Sequence, residues 1–422
     1  MKSTLISYKE DIKRMKKSAL LLISASLLTL ASCSNDKPED TNKSTTDDGV
    51  LKIALVTDSG TLNDHNFNQT SWEAVNAWAV EVGGGTIDPT DNVVKTGTVQ
   101  TMYYQPSSST GSYTTTERVA AIKSAADWGA KFIVLPGYLF QPVVKIVQSN
   151  QKYKDINFLA LDCVNQDSDN DYAEFQLTNK VSMTQYHEEQ AGFMAGYGAV
   201  KDGLTKLGFI GGMSVPAVIR YGYGFIQGAE EAAKELNLAD NSIDMQYYYA
   251  GAFASTPEAT NFATTWYQNG TESIFACGGA VYNSVTAALA GTGNEGKSWI
   301  GVDTNQHADT SIKPDGMNQR LLTSAMKGLG ESIKAGLTDW KNNNYAFSNT
   351  HAGKILNLGV NEDAVALPTP EATGDQGCWG FKKFTVAEYN ALVAKMKAGT
   401  VTVSDDTTAL PTVTKVKVTT HN

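Results

Sequence analysis

The sequence predicts an α/β protein built from parallel sheets. Beyond residue 50, short and almost continuously apolar runs alternate with stretches of helical pattern. Strands that are apolar at nearly every position are typical of a parallel sheet covered by helices on both faces. The predicted strands are LKIALVTD, FIVLPGY, NFLALDC, KLGFIGG, MQYYYAG, SIFACGG, SWIGVD and LLTSAMK.

A weak internal repeat supports this fold class and suggests a binding cleft. The run KIALVTDSG leads through a turn to Phe67 and a helix, and KLGFIGGMS leads through VPAVIR to Tyr221 and another helix. Ligands of open parallel sheets bind beyond the carboxyl ends of the strands. Two such halves that face each other place Phe67 and Tyr221 on opposite walls of a cleft. We therefore expect the two rings to sandwich a flat ligand.

The N-terminal segment, residues 1–32, is predicted to be a signal peptide. Basic residues precede the apolar run SALLLISASLLTL, which is too short to cross a bilayer of about 30 Å. The following stretch LASC resembles a bacterial lipobox, in which the cysteine, here Cys33, receives a lipid; a plain signal peptide is the alternative. Residues 33–49 are predicted to be a disordered tether, since residues 34–49 include no aliphatic or aromatic side chain. The exported protein is thus expected to be lipid-anchored outside the bacterial cell membrane.

Charge and cysteine usage exclude several classes of protein. The 422-residue chain has a formal net charge of −10 at pH 7, and loss of the basic presequence makes it more acidic. With no basic cluster beyond the presequence, we expect no nucleic-acid polymer as a partner. Cys163, Cys277 and Cys378 lie inside or beside apolar segments, which predicts buried thiols or one optional bridge. Neither the cysteines nor the stretch HEEQ shows metal-ligand spacing, so we expect no metal and no cofactor.

Five motifs occur in order along the chain: ALVTDSGTLNDHNFNQTSWEAV, EEQAGFMAGYGA, KLGFIGGMSVPAVIRYGYGFIQGA, IGVDTNQ and LLTSAMKGL. Together they resemble the basic membrane protein family, the substrate-binding lipoproteins of ABC importers. The resemblance implies a type I periplasmic-binding-protein fold, with two doubly wound parallel-sheet lobes joined by a hinge that the chain crosses three times. It assigns residues 50–165 with 327–356 to lobe 1 and residues 166–326 with 357–415 to lobe 2.

The resemblance also implies a monomeric, non-catalytic protein that binds a purine nucleoside (inosine, guanosine or adenosine) and delivers it to ABC permease subunits. The rings of Phe67 and Tyr221 would stack on the base, and the side-chain amide of Asn68 would bind the edge of the base. The aspartate carboxylates would accept hydrogen bonds from the ribose hydroxyls. Lys327 would donate a hydrogen bond to the sugar and offset the negative charge of the carboxylates. Such an acidic site should reject phosphorylated nucleotides. The ligand contacts carried over by motif are Asp58, Phe67, Asn68, Asp162, Tyr221, the backbone of Gly278, Asp303 and Lys327.

The chain departs from the family pattern at several positions. Asn63 stands where a second acid is usual, beside Asp64, which is predicted to cap the helix. Asn66 replaces a small serine, and Tyr221 stands where phenylalanine is common. The Ser/Thr/Gly-rich part of residues 98–116 is predicted to be a loop insertion. These changes keep both rings but leave the preferred nucleoside open.

Two other functions share features of the sequence. The same fold can bind a sugar, riboflavin or another aromatic metabolite. The stretches SAMK (residues 324–327), SDN (168–170) and KTG (95–97) match the signatures of serine hydrolases of the β-lactamase type. In those enzymes the three signatures occur in the order SxxK, SDN and KTG, and the serine lies at the start of a helix. In this chain the order is reversed, and Ser324 lies near the end of an apparent strand. The hydrolase reading is therefore disfavoured.

Overall fold

The computed structural model describes residues 49–59, 61–107 and 113–422. The predicted signal peptide, Cys33 and nearly all of the predicted tether lie outside these residues. Within them, every helix is too short or too polar to cross a membrane.

The first lobe begins with a βα pattern, as predicted. Apolar residues fill both faces of its inner strands, so that Ile53 on one face and Ile133 on the other are both fully buried. The first part of the chain forms β1 (Leu51–Val56), α1 (Phe67–Gly83), β2 (Ile87–Asp88), β3 (Val93–Val94), β4 (Val99–Tyr104), α2 (Thr115–Trp128), β5 (Phe132–Pro136), α3 (Gln141–Gln148), β6 (Asn157–Leu161), β7 (Gln166–Asp167), β8 (Ala173–Glu174) and β9 (Val181–Tyr186).

The second lobe repeats the pattern, and the remaining chain returns to each lobe in turn. The second lobe contains α4 (Glu188–Lys201), β10 (Lys206–Gly211), α5 (Pro216–Glu235), β11 (Ile243–Tyr249), α6 (Pro257–Gln268), β12 (Ser273–Cys277), α7 (Tyr282–Leu289), β13 (Ser298–Asp303) and β14 (Leu321–Lys327). The returning segments are α8 (Leu329–Asn342), β15 (Lys354–Leu358), β16 (Val365–Ala366), α9 (Pro370–Thr373), α10 (Val386–Lys397) and β17 (Val416–Thr420).

The two large sheets share a common strand order, to which the second sheet adds β17 at one edge. The first is β4-β1-β5-β6-β9-β15, with all neighbours parallel. The second is β17-β11-β10-β12-β13-β14-β16, in which only β16 is antiparallel to its neighbour. In each sheet the first long strand lies between the second and the third, so the winding direction reverses there and a crevice opens at the carboxyl ends. This order confirms the predicted fold class.

The sheets divide the chain later than the predicted boundaries do. Strand β9 pairs with β6 in the first sheet, so the first crossing lies at His187 and not at residue 165. Lys327 ends a strand of the second sheet, and the other two crossings lie at Gly328 and Gly359. Strand β9 has the sequence VSMTQY, whose polar residues hide a strand from a search for apolar runs. Its Ser182 is nevertheless buried.

Glycines allow α4 and α5 to pack at unusually close range in the second lobe. A Cβ at Gly192 of α4 would collide with the backbone carbonyl of Tyr221, and a Cβ at Gly224 of α5 would collide with that of Glu189. This close approach brings the N-terminal turn of α4, with Glu188, next to Tyr221. The two helices thereby present charged and aromatic side chains to the same end of the lobe.

The three cysteines in the described chain are buried free thiols. Burial raises the pKa of Cys163, Cys277 and Cys378 above the usual value. Of the two predicted states, the structure has buried thiols and no bridge among the described residues. They behave as packing residues in this fold.

Candidate functional site

A cavity lies between the two lobes, beyond the carboxyl ends of the central strands. Together with its open mouth, the cavity encloses about 660 Å³ of space that no protein atom fills. Every residue that the resemblance predicted as a ligand contact lines this cavity. They are Asp58, Phe67, Asn68, Asp162, Tyr221, Gly278, Asp303 and Lys327. The fold thus brings together residues from both halves of the chain.

Asp162 and Asp303 occupy equivalent positions in the two lobes. Asp162 directly follows β6, and Asp303 is the last residue of β13. Both have a left-handed backbone, with φ of 56° and 67°. Such a conformation costs a residue with a side chain on the order of 1 kcal/mol and is concentrated at functional sites. Each lobe therefore contributes one acid to the cavity from the same strained point of its sheet.

Two glycines are placed with the same symmetry. Gly137 follows β5 and Gly278 follows β12, with φ of 127° and 114°. A Cβ at Gly137 would collide with the Asp58 carboxylate. The absence of a side chain at residue 137 therefore leaves Asp58 the room to line the cavity.

Lys327 links the two aspartates. Its Nζ lies 2.6 Å from Asp162 Oδ2, 3.3 Å from Asp303 Oδ1 and 3.8 Å from Glu188 Oε1. Burial is the largest single influence on the pKa of Lys327 and lowers it, but the three carboxylates together raise that pKa above its ordinary value. The lysine is therefore charged at neutral pH, and its contact with Asp162 connects the second lobe to the first.

The acids around Lys327 differ in how easily they ionise. Burial raises the pKa of Asp162 to about 7, with Glu188 adding to this effect against the attraction of Lys327. Burial also raises the pKa of Asp303. For Glu188 burial is again the largest influence, but Arg220 and Lys327 overcome it and lower the pKa. Arg220 Nε donates to Glu188 Oε2 at 2.6 Å. Glu188 is thus a fixed negative charge, whereas Asp162 titrates near neutral pH.

Both predicted aromatic residues contact the same ammonium group. Lys327 Nζ lies 4.7 Å from the ring centre of Phe67 and 5.5 Å from that of Tyr221, which is within cation–π range. Tyr221 is only 2% exposed, and its hydroxyl lies 3.4 Å from Asp303 Oδ1. Tyr221 therefore contributes to the position of an acid as well as to the wall of the cavity.

Phe253 is a third ring in the cavity, and the sequence did not predict it. It follows β11 in the stretch AGAFAS, and its side chain is partly exposed. Its ring packs against glycine backbone: a Cβ would approach it to 2.5 Å at Gly212 and to 3.1 Å at Gly278. The glycine pairs in KLGFIGG and SIFACGG could have indicated a large side chain nearby, because they create the space that this ring fills.

Asp64 accepts hydrogen bonds from the first turn of α1, whose N-cap residue is Asn66, and also orients Asn68. Its carboxylate accepts hydrogen bonds from the backbone N–H groups of Asn66, Asn68 and Gln69 at 2.8–3.1 Å. Asn68 Nδ2 donates to the same carboxylate at 3.1 Å. Burial raises the pKa of Asp64 to about 6, although these backbone donors act against it. Asn68 Oδ1 is left as a buried acceptor with no hydrogen-bond partner among the described residues.

The motifs that resemble a serine hydrolase do not assemble into a site. Ser324 is buried in β14, where its Oγ accepts a hydrogen bond from Gln306 N at 3.2 Å. Lys95 lies after β3 and pairs with Asp88 at 2.9 Å, half exposed to solvent. Neither residue lines the cavity, and nor does Ser168. Within residues 49–59, 61–107 and 113–422, no cluster of His, Cys, Asp and Glu is arranged to hold a metal ion.

Comparison with known proteins identifies the family. The Bmp family model, described as ABC transporter substrate-binding protein PnrA-like, matches residues 51–378. The chain belongs to the Bmp family. This Bmp-family protein is accordingly an ABC transporter substrate-binding protein, which confirms the resemblance seen in the five motifs.

Named relatives cover most of the Bmp-family chain. It is 29% identical over 360 residues to the ABC transporter nucleoside-binding protein BmpA of Lactococcus lactis subsp. cremoris, which covers 83% of this chain and 90% of that protein. It is 28% identical over 350 residues to basic membrane protein A1 of Borrelia garinii subsp. bavariensis, covering 82% and 86%. A solved ABC transporter solute-binding protein from Aeropyrum pernix has a TM-score of 0.63 at 17% identity, covering 84% and 94%. This last likeness supports the fold.

Proposed function

We propose that this Bmp-family protein captures purine nucleosides between its lobes and delivers them to the permease of an ABC importer. The observation that carries the proposal is the contact of Lys327 with an acid from each lobe, Asp162 and Asp303, directly beside the ring of Phe67. A ligand that fits these groups has a flat aromatic face and several hydroxyl groups. A purine nucleoside has both.

The aromatic residues would hold the base. Phe67 supplies one face, and Tyr221 and Phe253 line the cavity from the second lobe. Stacking of a base on an aromatic side chain is worth roughly 1–3 kcal/mol. Because Tyr221 is almost fully buried and Phe253 is not, we propose that Phe253 shares with Tyr221 the stacking on the second face.

The acids would hold the sugar. Asp162 Oδ1 is buried and has no hydrogen-bond partner among the described residues, while its Oδ2 binds Lys327. A buried acceptor without a donor costs about 1–3 kcal/mol, so a ligand hydroxyl that donates to it gains affinity. Asp303 would accept from a second hydroxyl, and Lys327 would donate to a ribose oxygen. Asn68 Oδ1 would accept from an N–H group of the base.

We infer from the same charges that a nucleoside would be favoured over a nucleotide. Asp58, Asp64, Asp162 and Asp303 all line the cavity, together with a single lysine. A phosphate group would bring two further negative charges into this surrounding. The site should therefore exclude phosphorylated ligands.

Export and attachment complete the proposal. We propose that the chain is an extracytoplasmic lipoprotein, anchored through Cys33 after removal of residues 1–32 and held from the membrane by the tether of residues 33–49. We also propose that it acts as a monomer, because the cavity takes residues from the two lobes of a single chain.

Mass spectrometry of the ligand that co-purifies with the protein tests the cargo directly. Protein produced in a bacterial host, washed and then denatured, should release a purine nucleoside. A matched preparation of Lys327→Met should release none. Release of a sugar, riboflavin or another aromatic metabolite would replace the nucleoside as the cargo and leave the fold and family unaffected.

A further inference from the structure

Two residues directly before Phe67 contact the opposite lobe. His65 and Asn66 lie in the loop between β1 and α1 of the first lobe, and neither lines the cavity. The next two residues, Phe67 and Asn68, do line it. Four consecutive residues thus divide into a pair that reaches across the cleft and a pair that faces the ligand.

Asn66 joins the lobes with one side chain. Its Oδ1 accepts a hydrogen bond from Phe67 N at 2.5 Å and thereby caps α1, and its Nδ2 donates to Gly279 O of the second lobe at 2.7 Å. Gly279 lines the cavity and has a left-handed backbone, with φ of 50°. A serine at this position could also cap a helix, but its side chain is shorter and offers no amide donor.

His65 makes a second set of contacts. Its Nδ1 lies 2.6 Å from Asp309 Oδ2 and 3.0 Å from Ser311 Oγ, and its ring meets that of Tyr282 edge-on, with centroids 6.0 Å apart. Its backbone carbonyl accepts from Gln306 Nε2 at 3.4 Å. His65 has a φ of 58°, which is uncommon for a residue with a side chain. All four partners belong to the second lobe.

We propose that His65 and Asn66 form a clasp that holds the lobes together over the ligand and sets the rate at which the ligand leaves. The clasp adjoins the proposed ligand contacts in sequence and is formed in the structure as described, so that opening of the clasp would draw Phe67 and Asn68 away from the cavity. His65 and Asn66 are positioning residues. The proposal rests on the proposed function only for the choice of ligand in the kinetic test.

Two variants and a control test the clasp by stopped-flow tryptophan fluorescence with inosine. Asn66→Ser keeps a helix cap and removes the bond to Gly279, and His65→Gly removes the ring in a backbone conformation that glycine adopts freely. Each should raise the dissociation rate about 3- to 10-fold, as expected for loss of one or two hydrogen bonds, with the association rate within about twofold of wild type. Asp315→Ala is the control, since Asp315 is exposed, pairs with Lys313 in its own loop, and lies outside the clasp.

An unchanged dissociation rate in both variants would overturn the clasp. If inosine does not bind the wild-type protein, the proposed function fails. The clasp is then tested on the ligand-free protein. Small-angle scattering should give a larger radius of gyration for the double variant Asn66→Ser/His65→Gly than for wild type and Asp315→Ala. Identical scattering from all three proteins would refute the clasp independently of the ligand.

Discussion

Lys327 Nζ lies 2.6 Å from Asp162 Oδ2, and this ion pair joins the two lobes inside the cavity. Asp162 follows a strand of the first sheet, whereas Lys327 ends a strand of the second sheet and directly precedes the crossing at Gly328. A ligand that contacts this pair therefore touches both lobes and the hinge together. We therefore expect ligand binding and lobe closure to be coupled through these two residues.

Replacement of Lys327 by methionine should weaken both the fold and binding. Removal of one partner from a buried ion pair costs about 3–5 kcal/mol, because Asp162 and Asp303 would remain buried without their counter-charge. We expect a lower Tm by differential scanning fluorimetry and at least about a 100-fold weaker inosine affinity by calorimetry. Lys145→Met is the matched control, since Lys145 pairs with Asp167 outside the cavity. An affinity like that of wild type in Lys327→Met would contradict the assigned role.

Binding should depend on pH through Asp162. Burial raises its pKa in the folded protein to about 7, above the unfolded value of about 3.9. The protonated form of Asp162 therefore contributes its full stability to the fold below about pH 4, and this contribution is lost as the pH rises through about 7. The ion pair with Lys327 requires the ionised form, so inosine affinity should instead rise about 10-fold from about pH 6 to about pH 8.

Titration calorimetry across this range checks the pH dependence, with Asp162→Asn as the comparison. The variant cannot ionise at residue 162 and should bind more weakly with a nearly flat profile. A rise with pH that is as steep in Asp162→Asn as in wild type would assign the dependence to another group.

The aromatic walls can be tested residue by residue. Phe67→Ala and Phe253→Ala should each weaken inosine binding by about 10- to 100-fold, since stacking is worth roughly 1–3 kcal/mol per base. Tyr221→Ala should have a similar effect, whereas Tyr221→Phe keeps the ring and should lose only the contact with Asp303. Tyr345→Ala removes a ring that is 40% exposed and outside the cavity, and serves as the control. Full affinity after loss of Phe67 would exclude the stacking arrangement.

Lipidation is tested at Cys33. In a bacterial host, Cys33→Ala should abolish labelling by a fatty-acid analogue and release the protein from the membrane fraction. The wild-type protein and a Cys378→Ser variant, which changes a buried thiol, should both remain labelled. Membrane association of Cys33→Ala at the wild-type level would refute the lipid anchor.

The fold could be predicted from the sequence wherever a strand is apolar throughout. FIVLPGY and NFLALDC were recognised for this reason, and both became inner strands of the first sheet. Strand β9 was not recognised, because Ser182 and Thr184 interrupt its apolar residues although both are buried. Their burial depends on neighbouring strands, which no local pattern reveals. The predicted lobe boundaries were displaced as a consequence.

The site was predictable only where a motif marks a residue. Asp162 and Asp303 lie at the carboxyl ends of recognised strands, so their position at the cavity could be expected. Phe253 belongs to none of the recognised motifs, and its position in the cavity follows only from the packing of its ring against glycine backbone. Glu188 and its partner Arg220 were also missed, because their pairing depends on the close approach of α4 and α5.

Calorimetric titration of wild-type protein with inosine, guanosine and adenosine tests the central claim most directly, with inosine monophosphate and riboflavin as comparison ligands. The account predicts saturable binding of purine nucleosides with one site per chain, no turnover, and much weaker binding of the monophosphate. If no purine nucleoside binds at millimolar concentration while riboflavin or a sugar does, the nucleoside assignment is contradicted.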